Sequence, residues 1–160
     1  MKRLYYSNRI KEYGKDILDS KEFLQGVRQI HHLRTLVAAH SLRTAKIALK
    51  ICDRLERCGL KVDERRAVRA ALLHDLGMLG RSQRYKNNFE CGYRHPINSV
   101  ATARKIWPDI DPKSINAIKS HMWPLSLSVP SSKEAFIVCF ADKMASIADI
   151  FPKKGKKNPC

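Results

Sequence analysis

The fold class this sequence predicts is an all-α bundle of about six or seven helices, and three observations predict it. Apolar residues recur at three- and four-residue steps along most of the chain, the stretch Ala67–Leu76 is apolar on nearly every side, and the period-two alternation of strands is nearly absent. With 160 residues the chain suits one domain, residues 1–160, with a core over about 31–150 and short basic ends.

The elements follow in order. Residues 16–30 predict one or two short helices. From about Leu33 to Cys58, the positions Leu36, His40, Thr44, Ile47, Ile51 and Leu55 form one face of a long helix, with His40 inside the stripe. Asp63-Glu64 open the next helix, Asp63 being the N-cap. Its body, Ala67–Leu76, contains His74-Asp75, and Gly77 and Gly80 help end it. Residues 81–96 read as a polar, basic loop, followed by a helix over Ile97–Ile106. Asp111-Pro112 supplies a cap with proline at the first helical position, for a helix to about His121 that Trp123-Pro124 stops. After a loop over Leu125–Pro130, the capping box Ser131-Ser132-Lys133-Glu134 starts a helix to about Ile150.

Composition excludes several function classes. Regular apolar content of 44% beside 29% charged residues is too hydrophobic for a disordered chain. No apolar run approaches the ~20 residues of a membrane helix. No apolar segment follows the basic start, so a secretory signal is not expected and a cytoplasmic place is. Five cysteines, Cys52, Cys58, Cys91, Cys139 and Cys160, make an odd count without a C-x-x-C pair, which argues for a reducing compartment rather than a disulfide framework. The net charge of +16 favours an anionic partner. Part of it sits in the tails, at Lys2, Arg3, Arg9, Lys11 and Lys15 and at Lys153, Lys154, Lys156 and Lys157. The stretch from Phe23 to Cys52 contains Arg28, Arg34, Arg43, Lys46 and Lys50 and no carboxylate.

Several polar side chains stand where the pattern demands apolar ones. His40 lies in its helix stripe, His74 and Asp75 interrupt Ala70–Leu76, and Asp142 shares a face with Ala135, Val138, Cys139, Ala145 and Ser146. Singly, an inward histidine also serves as a hydrogen-bonded core residue, and an inward aspartate as a cap or an arginine partner. An ionised carboxylate in an apolar interior costs several kcal/mol unless compensated. Two such carboxylates and two imidazoles converging from different helices are compensated by one divalent cation, and Mn, Fe, Co, Ni, Zn and Mg all suit these donors.

The order His40, His74-Asp75, Asp142, with the local spellings HSLRTAKIA, AALLHDLGM and ADKMAS, resembles the HD superfamily of metal-dependent phosphohydrolases over roughly residues 31–150. The resemblance implies a helical HD-domain bundle and a divalent metal. His95 and His121 fall between the pair and the last aspartate, as in members that hold two metals. It then implies one metal on His40, His74, Asp75 and Asp142, with Asp75 bridging to a second on His95 and His121. HMWPL at 121–125 and His31-His32 resemble small stand-alone bacterial members. Where many two-metal relatives carry a phosphate-contacting lysine three residues after the aspartate of the pair, this chain has Met78. Arg43, Arg81, Arg94 and Lys143 are the candidates to supply that charge.

The implied activity is hydrolysis of a phosphate ester, of a nucleotide or related phosphorylated small molecule, by a metal-activated water, with Asp75 and His74 as the catalytic pair. The expected partner is an anionic phosphorylated small molecule, nucleic acid is a less favoured one, and no membrane partner is expected. Two alternatives remain: a di-iron oxygenase on the same six ligands, and a non-catalytic nucleic-acid or nucleotide-binding module.

Overall fold

The chain is described here by a computed structural model over residues 2–32 and 35–151, without the side chains of residues 2, 3 and 32. The basic run at Lys153–Lys157, Arg34 and the side chains of Lys2, Arg3 and His32 therefore lie outside the described residues.

Eight α-helices occur among the described residues, against the six or seven expected. They are α1 (Lys2–Leu18), α2 (Lys21–Gly26), α3 (Val37–Arg57), α4 (Glu64–Leu73), α5 (Arg81–Arg84), α6 (Asn88–Ile106), α7 (Pro112–Lys119) and α8 (Lys133–Ile150). A small antiparallel hairpin, β1 (Ile30–His32) and β2 (Thr35–Leu36), precedes α3 and displaces its start from the expected Leu33. No helix of the described residues is long and apolar enough to cross a membrane.

The bundle is organised around α4. Seven of its ten residues are buried, as its all-round apolar sequence demands, and α1, α3, α7 and α8 pack against it. Burying side chains such as Leu72, Leu73 and Val68 contributes about 1.5–3 kcal/mol each. One buried cation is paired within this packing. The Arg69 guanidinium grips Asp16 through two 2.7 Å bonds and lies 4.2 Å from the Trp107 ring centroid.

Beyond the start of α3, further boundaries differ from expectation, and α1 begins at Lys2, well ahead of the short helices expected over 16–30. The expected loop 81–96 contains α5 and the first half of α6. Asn87 caps α6 by accepting the Glu90 N–H at 2.8 Å, and Glu90 accepts the Lys86 N–H at 2.8 Å. Pro96 stands inside this helix rather than ending it, forgoing one ladder bond. At α8 the cap is Ser132, which accepts the Ala135 N–H at 3.1 Å. The expected box partner, Glu134, instead accepts the Asp63 N–H at 2.9 Å, tying the start of α8 to the start of α4. Finally, α4 ends at Leu73: His74 is its C-cap, and Asp75 opens the 3₁₀ turn Leu76–Met78. Asp63 and Asp111 cap α4 and α7 as their positions predict.

The turn after Asp75 is pressed onto α6. A Cβ at Gly77 would run into His95 O and the Ser99 backbone nitrogen, so only glycine admits this approach. Gly77 donates its N–H to Ser99 Oγ at 2.9 Å and accepts from the Tyr85 hydroxyl at 2.7 Å.

Candidate metal centre

Five helices and one turn bring the polar side chains together. α3 delivers His40, the end of α4 His74, the following turn Asp75, α6 His95, the end of α7 His121, and α8 Asp142. None of the six is more than 7% exposed. They form two groups sharing Asp75: His40, His74, Asp75 and Asp142 in one, Asp75, His95 and His121 in the other.

The two oxygens of Asp75 divide between the groups. Oδ2 lies 3.1 Å from His74 Nε2 and 3.6 Å from His40 Nε2. Oδ1 lies 3.2 Å from His95 Nε2 and 3.5 Å from His121 Nε2. Asp142 Oδ1 closes the first group at 2.9 Å from His40 Nε2 and 3.5 Å from His74 Nε2.

The rings are held by their outer nitrogens. His74 Nδ1 donates to Ala71 O at 2.8 Å, His95 Nδ1 to Cys91 O at 2.8 Å, and His121 Nδ1 to Ile118 O at 2.7 Å. A carbonyl accepts only from N–H, so each neutral ring turns the lone pair of Nε2 inward. His95 Nε2 and His121 Nε2 then face each other at 2.9 Å, and buried His74 Nε2 makes no hydrogen bond of sound geometry. Facing lone pairs beside carboxylate oxygens call for positive charge between them. These donors, four imidazole nitrogens and two carboxylates, fit divalent cations such as Mn, Fe, Co, Ni, Zn or Mg.

Protonation reflects the same demand. Burial pulls the His74 imidazole down, but the Asp75 and Asp142 carboxylates outweigh it and hold His74 well above its ordinary value. Burial lowers His121, helped by the charges of His74 and His95 and opposed by Asp75. Burial would raise Asp75 and Asp142, yet the histidines around them hold both below the usual carboxylate range. Without a cation, a proton on His74 supplies part of the missing charge.

Two further residues reach the centre that the sequence reading did not assign to it. His31, on β1, places Nε2 2.6 Å from Asp75 Oδ2 and stacks its ring 4.2 Å from that of His40. Asp149, on α8, accepts from His40 Nδ1 at 2.7 Å and is itself paired with Arg43. His31, His40 and Asp149 also form a potential ligand group. A neutral imidazole, however, has one donor and one acceptor. With Nε2 turned to Asp75 and Asp142, His40 Nδ1 carries the N–H, and Asp149 orients that ring. Asp149 stands seven residues after Asp142, two turns along one helical face, which is a readable signal. His31, upstream of the long helix, is marked only by the His31-His32 pair.

The four basic candidates are all engaged within the chain. Lys143 Nζ lies 3.2 Å from His121 O, and Arg81 donates to His31 O at 3.2 Å, so both border the centre. Arg43 is committed to Asp149. Arg94 pairs with Glu90 at 2.8 Å on the surface of α6. Met78 is buried in the turn and brings no charge.

A helical bundle closed around a buried His/Asp cluster of this kind defines a class, the all-α proteins whose core could hold a divalent metal. Within that class the chain belongs to the HD domain family, whose model matches residues 37–147. Members of this family are mostly metal-dependent hydrolases and typically bind divalent cations. Comparison with curated proteins and with solved structures returned no match.

Proposed function

We propose that this chain hydrolyses a phosphate ester, of a nucleotide or related phosphorylated small molecule, at a centre of two divalent cations. The division of Asp75, one oxygen toward His40 and His74 and the other toward His95 and His121, is the observation that carries this reading. His40, His74, Asp142 and one oxygen of Asp75 would hold the first cation; His95, His121 and the other oxygen would hold the second. Bound cations of this type supply Lewis acidity, offsetting charge on phosphoryl oxygens and acidifying a water.

The chain's own residues do the rest. Backbone carbonyls and Asp149 lock the imidazoles in one tautomer. Asp75 and Asp142 orient a water and accept from it, and His74, its Nδ1 proton held by Ala71 O, offers the Nε2 lone pair to the first cation and carries a proton there only when no cation is bound. Asp142, with its side chain 10% exposed, is the most open of the six and marks the side of approach. A centre this far below the surface suits a small phosphorylated substrate better than a polymer. Lys143 and Arg81 border it and are placed to meet phosphate, whereas Arg43 and Arg94 would first have to leave a carboxylate.

A screen of phosphorylated metabolites and nucleotides against Mn, Co, Ni, Mg and Fe tests this, with Asp75→Ala as control. Metal-dependent phosphate release that falls to background in Asp75→Ala is expected. Release that survives in that variant would sink the proposal. The same six ligands would also suit a di-iron oxygenase. Iron in protein purified without added metal, together with substrate-dependent oxygen uptake, would replace hydrolysis by that reading.

A further inference from the structure

The outer face of α8 is unlike the rest of this strongly basic molecule. Phe136, Phe140, Met144, Ile147 and Phe151 are 51, 58, 43, 60 and 73% exposed and follow one another at steps of four, four, three and four residues. The Trp123 ring extends the stripe, standing edge-on to Phe136 with centroids 6.3 Å apart. From Glu134 to Phe151, every exposed residue is apolar. Asp142 and Asp149 turn to the metal centre and Lys143 to the His121 carbonyl, while exposed Lys133, at the start of α8, donates to Lys61 O.

We infer that α8 pairs with α8 of a second copy of this chain. Steps of three and four are what one helix presents to another. Half-exposed side chains of this size, each with roughly 150–250 Å² to bury when aromatic, offer on the order of 500 Å² per copy. That approaches the ~800 Å² per partner of a standard interface and has the apolar character of homodimers. Copies carrying +16 each repel wherever lysine and arginine face one another, and this stripe has neither. The nine residues after Phe151, PKKGKKNPC, hold four lysines and no large apolar side chain, so their chemistry does not suit the stripe. An antiparallel pair about a two-fold axis sets Phe140 beside Met144 of the other copy. Each copy keeps a whole metal centre on the opposite face of the helix.

Sedimentation velocity and light scattering on the full chain test this. The expected mass is twice the 18.3 kDa of one chain. Phe140→Asp and Ile147→Asp each shift it to a single chain with unchanged helical circular dichroism, whereas Leu24→Asp, on exposed α2, leaves the dimer intact. Should an aspartate variant unfold, Phe140→Ala weakens the dimer by roughly tenfold in dissociation constant. A wild-type chain that stays single at every concentration overturns the inference, also if it floats with phosphatidylglycerol vesicles instead. So does a dimer indifferent to substitution of the stripe.

Discussion

Asp75 has two oxygens and serves two groups of histidines, which places it beyond replacement by any other side chain of similar size. Asp149 has a different part. It touches none of the inward nitrogens, only the outer nitrogen of His40 at 2.7 Å. Partners of this kind fix ring orientation and tautomer, and removing them typically costs 10–100-fold in metal affinity. Asp149→Ala should therefore weaken metal binding by about 10–100-fold in calorimetric titration while the helical signal persists, and Asp149→Asn should lose less. Affinity unchanged in both would remove Asp149 from the centre. At this scale the sequence was most legible where a polar residue broke an apolar pattern, as His40, His74, Asp75 and Asp142 do. His31 breaks no pattern, since the three-residue strand carrying it is too short to show one.

Between elements, two contacts have measurable consequences. Gly77 lets the turn that carries Asp75 lie against the α6 backbone that carries His95. Gly77→Ala should cost about 1–3 kcal/mol in denaturant unfolding, because backbone rather than a flexible side chain must move. It should also weaken metal binding by parting Asp75 from His95. The second contact joins α3 to α1: Asp53 accepts from Arg9 at 2.7 Å and from the Tyr6 hydroxyl at 2.9 Å. Burial pushes this carboxyl up, but these two bonds outweigh it and hold Asp53 below its ordinary value. A carboxyl lower in the folded than in the unfolded chain stabilises above the unfolded value, about 3.9, and ceases to as pH falls through the folded one. Asp53→Asn should thus cost about 1–2 kcal/mol at pH 7 and progressively less below about pH 4. A cost independent of pH would show that the charge of Asp53 is irrelevant. Element boundaries were legible where caps are spelled in the chain, at Asp63 and Asp111. They are not legible at α6, where the polar, basic stretch 81–96 reads as a loop although Asn87 with Glu90 starts the helix nine residues ahead of Ile97.

For the molecule as a whole, the centre joins α3, α4, α6, α7 and α8, so a cation bound there crosslinks the bundle. A ligand that binds only the folded chain, at a hundred times its dissociation constant, stabilises by about 2.7 kcal/mol. For a chain of this size that raises the melting temperature by roughly 5–10 °C. Addition of Mn or Co to chelator-treated protein should produce that rise, and Asp75→Ala should abolish it. A rise of equal size in Asp75→Ala would put the stabilising cation elsewhere.

Periodicity and the cost of burying charge make the helical class, the caps of α4 and α7 and a set of four inward polar residues, His40, His74, Asp75 and Asp142, legible in the chain itself. Only the tertiary structure decided how the set divides. That His74 ends a helix, that Asp75 opens the next turn with an oxygen toward each group, and that Asp149 and His31 close around His40 and Asp75 all depend on where separate elements meet. Spacing along one helix fixes which face a side chain shares. It carries no record of which face of another helix lies opposite.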